Sequence, residues 1–513
     1  MKIRSVRAPR GMVGAGNPLA AAEGLAVLRA GGNAFDAAVA AAAVLAVVSP
    51  HECGLGGDLL AVVHHAKSGQ TFALNSSGRS PGAATVERYP EGMPMTGARS
   101  ISVPGMVGGW AALLERYGTR SLGSLLSGAI DYAEQGFPAY DDLIENASQR
   151  TGSIFADPHC KALFFPNDLR LREGELIRQR AAGQTLRRIA AEGAAGFYRG
   201  PVAQSMARTV QAGGGLLDVA DLAAFEPLWQ EVMDAHFGAH RICTMPPASW
   251  ATAMLLQLSL MEQEGIAPLA DEAQFILQGI RTRRRAYEML EGCIADPDTV
   301  GDQARMVLAR HRQGMAAAQA ATARQEGMHG TDTSNVIAVD SQGNAVSLLQ
   351  SVFVPFGSGV LDAQTGVLFN NRMRGFSTRA GDPNCVAPDK RPAQTLTPVL
   401  VMKDGQAWLA CGSPGGPGQT GTMAQFAARL LFYGQSMAEA IATPRWSKTL
   451  VGDFILEDTA SEALQQAVLA VEPQIKITPW GSVNYGSIVA VMRDGEGWAG
   501  CADTRRNAAM HGF

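Results

Sequence analysis

The chain has 513 residues, with 43 Lys and Arg against 47 Asp and Glu, a net charge of −4, and 46% hydrophobic residues. That balance excludes a dedicated nucleic-acid binder, which carries a basic face, and it excludes a disordered chain. The 58 glycines follow no three-residue period, so a collagen-like fibre is excluded and many tight turns are expected.

In chain order, the N-terminal segment MKIRSVRAPRGMVGAGNP is basic, but no apolar core follows it, so no secretion signal is read and a cytoplasmic location is expected. Helices are expected at 16–30 and 34–48. Asn33 is placed to cap the second, with Asp36 at N3 near the positive end of the helix dipole. The run Ala37–Val48 is apolar all round, which predicts burial on more than one side. It is too short for the ~20 residues that span a membrane. The loop PHECGLGGD looks like a packed or substrate-facing turn without the spacing of a nucleotide loop. DLLAVVHHAKSGQTFALNSSG reads as strand, turn, strand.

From 105 to about 325 the apolar recurrence at three and four residues predicts mostly helix. Within it, RTRRR (Arg281–Arg285) tempts a phosphate-binding reading, but one run inside a helix fits a solvated face or internal ion pairs better. At 326 the texture changes to strands. VIAVD–SQGN–AVSLLQSV, LTPVLVMKDGQAWLACG and SIVAVMRDGEGWAGCAD each read as hairpins, with helices GTMAQFAARLLFYG and SEALQQAVLAV between them. Helices around paired antiparallel sheets predict a layered α+β fold with no linker at 326. The seven cysteines are odd in number and lack CxxC, so neither a disulfide framework nor a cysteine metal site is expected. His51 and Cys53 lie close together without a second ligand pair.

The segment Gly330-Thr331-Asp332-Thr333-Ser334-Asn335 stands immediately before a strand. A threonine hydroxyl is a weak nucleophile unless a base sits beside it. Cutting Asp332–Thr333 would supply that base, because the new α-amine of Thr333 has a pKa near ~8. Hydroxyl residues in a loop are also ordinary turn and cap chemistry.

The ordered blocks GGNAFDAAVAAAAVLAVVSP, GLGGD, VPGMVGGW, FYRGPVAQSM, TSNVIAVDSQGNAVSLLQS, GVLFNNRMRGFS, KRPAQTLTP, GSPGG and CADTRR resemble the γ-glutamyltransferase family of N-terminal-nucleophile hydrolases over nearly the whole length. The resemblance implies a four-layer αββα sandwich and a precursor cut into a large piece, 1–332, and a small piece, 333–513, that stay associated. An assembly of two such heterodimers is a further expectation. Asp332 and Thr333 form the implied processing site, and Thr333 the nucleophile. Ser351 matches the second hydroxyl residue supporting it, with serine where threonine is common. Gly415 and Gly416 match the oxyanion-hole glycines. Arg79 matches the arginine that grips the substrate carboxylate, across a segment two residues shorter than usual, while Gln394 and Thr395 match a pair of serines that assist it.

The departures concern the substrate's α-ammonium. The positions that would hold it are Phe353, Arg372 and Gly375, which supply neither amide nor acid. Arg372 and Arg374 share a face if the strand continues through NNRMRG, and Arg372 then either grips a substrate carboxylate or pairs with a protein acid. The expected activity is hydrolysis or acyl transfer on a small amide such as oxamate, through an acyl-enzyme and without cofactor or metal. True γ-glutamyl transfer or glutathione hydrolysis, and a cephalosporin-type acylase, are the alternatives within the family. A non-catalytic scaffold and a metal hydrolase are the competing classes.

Overall fold

The computed structural model describes residues 3–268, 270–314, 332–449 and 451–513. The expected capping signal acts at the start of the second helix, Ala34–Val48: Asn33 Oδ1 accepts from the Phe35 and Asp36 N–H groups, and the Asp36 carboxylate accepts from Asn33 N–H. Every residue of Ala34–Val48 is buried, because its alanines let the helix Pro18–Arg29 and the strands beneath approach closely. No helix among the described residues is long and apolar enough to cross a membrane.

Two seven-stranded antiparallel sheets form the centre. The first runs Ala509–Gly512, Met12–Ala15, Asp332–Val339, Ala345–Phe353, Asp58–His65, Gln70–Ser76, Leu228–Glu231. The second runs Ser5–Ala8, Gly497–Ala502, Val489–Asp494, Gln406–Gly412, Val399–Lys403, His240–Thr244, Met233–Phe237. Strands from before and after residue 333 interleave in both, so one core is built from both parts of the chain.

The period of two along the strands sets the layers. Ile337, Val339, Ala345 and Leu349 face the second sheet and meet Leu400, Met402, Ala410, Val489 and Val491. Val336, Ala338, Val346 and Leu348 face the other way, onto the helices Pro18–Arg29 and Ala34–Val48. Helices Thr252–Glu264 and Gln419–Leu431 cover the outer face of the second sheet. This is the expected α+β sandwich, layered α, β, β, α.

The sequence expectation fails at residues 228–244. Within the stretch expected to be mostly helical, Leu228–Glu231, Met233–Phe237 and His240–Thr244 are strands. Two of them sit at sheet edges, where half-exposed positions carry the charged and polar residues that blur a two-residue hydrophobic period.

Candidate active site

The alternation that builds the sandwich also aims its chemistry. Asn335 points from its strand toward the second sheet, where its Nδ2 donates to Gly412 O at 2.8 Å. Ser347 points the same way, and its Oγ donates to Cys411 O. Thr333 and Ser351 lie two and four residues further along these strands. The pairing slips between Asp332 and Ser334, so Thr333 sits at an irregularity at the end of the ladder. Both hydroxyl residues are buried, with Thr333 only 2% exposed. Ser351 Oγ accepts from Phe353 N–H at 2.8 Å. Phe353, with φ of 88°, turns the chain out of the strand. Gly57 crosses directly over this end, where a Cβ would lie 2.6 Å from Ser351 O.

The segment Ser413–Gly418 leaves the second sheet and enters the helix Gln419–Leu431. Gly415 has φ of 120° and Gly416 has φ of 50°. A Cβ on Gly415 would also approach Gly486 N and Cα at 3.2 Å. Both φ values are positive, a backbone region that glycine adopts without strain. Gly418 N–H closes the turn on Gly415 O at 2.9 Å.

The first residue of that helix was not singled out from sequence. Gln419 is fully buried; its Nε2 donates to Thr333 Oγ1 at 3.3 Å and its Oε1 accepts from Thr397 N–H at 3.1 Å. The loop before it is fixed by Arg283, whose Nη2 donates to Pro417 O at 2.7 Å. The turn after it is fixed by Tyr287 OH, 2.9 Å from Thr420 Oγ1. Arg283 is thus the buried arginine of the RTRRR run. Its neighbours behave as the ion-pair reading expects: Arg281 and Arg285 pair with Glu264, and Arg284 with Glu472.

Three of the expected substrate residues, Thr395, Gln394 and Arg79, have different settings. Thr395 lies beside the site, since its carbonyl accepts from Thr397 Oγ1 and Thr397 N–H is the group bound by Gln419. Gln394 is fixed through its backbone, accepting from Trp250 N–H and donating to Ala248 O, while both its side-chain polar atoms are buried without a hydrogen-bond partner among the described residues. Arg79 is held by an acidic group: Nη1 donates to Asp389 O at 2.7 Å, and the carboxylates of Asp296, Asp298 and Asp389 lie 3.6–3.9 Å from its guanidinium. It lines a cavity of about 480 Å³ with Val103, Phe225, Leu228 and Arg391.

Arg372 departs from the strand geometry expected of it. Residues Arg372–Gly375 form a 3-10 turn, with Arg372 N–H bound to Asn370 Oδ1, so Arg372 and Arg374 do not share a strand face. The Arg372 side chain turns inward onto Asp58, Nε to Oδ2 at 2.5 Å, and its guanidinium carbon lies 4.6 Å from the centre of the Phe353 ring. Asp58 Oδ1 accepts from Gly78 N–H. Burial pushes the Asp58 carboxyl above the usual range, against the pull of Arg372 and of the Gly78 N–H. Asp58 is the register partner of Ser351, so this pair adjoins that residue. Its only sequence signal was an acid opening an otherwise apolar strand, after GLGG.

Beneath the nucleophile strand, His51 Nε2 is 3.2 Å from Asp142 and Glu52 Oε1 is 2.9 Å from Arg506 Nη1. Ligand atoms of His51, Glu52 and Asp142 lie within 4.8 Å of one another, a grouping the spacing of His51 and Cys53 did not announce.

Residues 20–513 match the family described as Gamma-glutamyltranspeptidase, and the chain belongs to that family. It is 31% identical over 450 residues to the glutathione hydrolase-like YwrD proenzyme of Bacillus subtilis, covering 86% of each chain. It is 30% identical over 527 residues to the oxamate amidohydrolase proenzyme of Klebsiella pneumoniae, covering 98% of each. Among solved structures, it matches the cephalosporin acylase of Bacillus halodurans with a TM-score of 0.90 and 28% identity, over 100% of this chain and 97% of that one.

Proposed function

We propose that this chain is a self-processing amide hydrolase. In this reading the Asp332–Thr333 bond is cut, 1–332 and 333–513 remain associated, and Thr333 becomes an N-terminal nucleophile. Its α-amine takes the Oγ proton as Oγ attacks the substrate carbonyl. The N–H groups of Gly415 and Gly416 receive the developing oxyanion, the amine leaves, and water or a second amine opens the acyl ester. Ser351 supports the Oγ, and Arg79 and Thr395 serve the distal end of the acyl group.

For the acyl group, we read a chain lacking an α-ammonium, as in a cephalosporin-type acyl amide. The observation that carries this is the stack of Phe353 on Arg372, with Arg372 closed onto Asp58. An ammonium placed there meets a guanidinium seated over an aromatic ring, and the nearby carboxylate is already engaged. Like charge repels, and a buried charge without a partner is costly. The test compares kcat/KM for glutaryl p-nitroanilide with that for γ-glutamyl p-nitroanilide, which differ by the amine alone. The glutaryl compound should be the better substrate. Preference for the γ-glutamyl compound would assign glutathione-type chemistry to the site instead.

One observation favours a second reading, a small acidic amide such as oxamate. Arg372 Nη2 is buried and has no hydrogen-bond partner among the described residues, so a substrate carboxylate is one group that suits it. Oxamate, succinamate and glutaramate should then outpace their neutral diamides, and Arg372→Gln should abolish the preference.

A further inference from the structure

The geometry points to Gln419 as a catalytic residue that stabilises Thr333 Oγ whenever that oxygen leaves an ester. The inference rests on the threonine mechanism proposed above and adds a group which that mechanism does not contain.

Three features carry it. The first is contact: Gln419 Nε2 is 3.3 Å from Thr333 Oγ1, the reacting atom itself. The second is orientation. A glutamine amide can face either way, but here Oε1 is the end that meets Thr397 N–H, a backbone donor that only an oxygen can accept. The NH₂ end is thereby turned toward Thr333. The third is rigidity. Gln419 is fully buried at the first turn of a helix, with Arg283 holding Pro417 O on one side and Tyr287 holding Thr420 on the other. A donor fixed in place before the reaction need not reorganise during it.

The chemistry follows from what happens to Oγ. In processing, Oγ attacks the Asp332 carbonyl carbon. The C–Oγ bond forms, the C–N bond to Thr333 breaks, and the hydroxyl proton ends on the new amine. Water then adds to the same carbon and the C–Oγ bond breaks. The electron pair stays on Oγ, which takes back one proton through the amine while the carboxyl takes the hydroxide. Deacylation of a substrate ester repeats this second half. The bridging oxygen of an ester is a poor hydrogen-bond acceptor, whereas an oxygen gaining charge as its bond breaks is a strong one. The Gln419 N–H therefore binds the transition state for ester opening more tightly than the ester, which is the condition for catalysis.

Two variants of the full-length chain test this. Gln419→Glu keeps an oxygen for Thr397 N–H and loses the donor toward Thr333; Gln419→Leu loses both. Processing should slow by about tenfold or more in each, in proportion to the loss of a hydrogen bond at a reacting atom. The slow step should be ester opening, so the unprocessed chain should accumulate a bond that hydroxylamine cleaves at 332–333. With glutaryl p-nitroanilide, the processed variants should release one equivalent of p-nitroaniline quickly and then turn over slowly. A merely structural role would slow processing without accumulating ester, and that result overturns the inference, as do rates within twofold of native in both variants. If Gln419→Leu precipitates, Gln419→Glu alone decides. A native chain that stays uncut overturns the threonine mechanism and this inference with it. A native chain that cuts, alongside variants that cut equally well, overturns the role of Gln419 alone.

Discussion

Asp58 and Arg372 stand 314 residues apart in the chain and close a buried ion pair, the side chains 0% and 1% exposed, with Asp58 directly opposite Ser351 on the neighbouring strand. Among the described residues neither partner makes a second ion pair. Arg372→Gln leaves the Asp58 carboxylate with Gly78 N–H as its remaining donor among the described residues, and removal of one partner of such a pair typically costs about 3–5 kcal/mol. The double variant Asp58→Asn/Arg372→Met should recover most of that stability, because no uncompensated charge remains. Urea unfolding of the single and double variants measures both. A single variant as stable as the native chain would show that water reaches this pair.

Self-cleavage is the first chemical prediction. A denaturing gel should show two pieces, and N-terminal sequencing of the smaller should read TSNVIAVD, beginning at Thr333. Thr333→Ala should neither cut nor turn over substrate. Thr333→Ser should cut slowly, since it keeps the hydroxyl and loses the methyl that restricts its rotamer. An active chain that remains whole would exclude the mechanism.

Much of this architecture was legible because local rules and tertiary packing agree. Asn33 and Asp36 cap the buried helix as their spacing requires, and the hairpins around Asp404 and Asp494 fold where turn residues interrupt alternating strands. What stayed hidden depends on distant partners. The edge strands at 228–244 carry too weak a pattern to be told from the helices flanking them. Arg372 could not be assigned to Asp58 from sequence, because the strand expected to continue through it ends in a turn held by Asn370. Gln419 begins an apolar helix, and only the folded chain brings its amide to a threonine 86 residues earlier.

Ser351→Ala should fold, because the change removes one hydroxyl and leaves the strand's apolar contacts intact. Phe353 N–H loses its acceptor, so the turn that carries Phe353 should loosen as well. Turnover or processing should fall by about ten- to a hundredfold if the Oγ contact strengthens in the transition state. Single-turnover rates on the anilide check this, and unchanged rates would remove Ser351 from the site.

Gly415→Ala tests the oxyanion loop by backbone strain rather than by chemistry. At φ of 120° an alanine is strongly disfavoured, and its Cβ would press on Gly486 at 3.2 Å. The loop must shift, which moves N–H groups whose loss typically costs a factor of about 10²–10³ in kcat. KM for the anilide should change far less than kcat. Equal changes in both would point to a binding role for the loop.

The last prediction concerns pH and a histidine remote from catalysis. His64 is 2% exposed, its Nδ1 is 3.1 Å from Thr71 Oγ1, and burial pulls its pKa down to about 4, with His65 and Arg493 adding to the shift. In the unfolded chain the same group titrates near ~6.5. Between these values the unfolded state holds one more proton than the folded state, so stability rises with pH across the window. The contribution is complete above ~6.5 and is lost as pH falls toward about 4. One proton corresponds to a slope of about 1.4 kcal/mol per pH unit inside that window. His64→Gln keeps a hydrogen-bonding group near Thr71 and does not titrate, so its stability should vary less steeply with pH. Both chains should carry Thr333→Ala, which keeps cleavage from entering the measurement. Paired carboxylates also destabilise the protein in acid, but they are common to both chains, so the difference in slope isolates the histidine. Parallel curves from pH 4 to 6.5 would mean that His64 protonates in place without opening the fold.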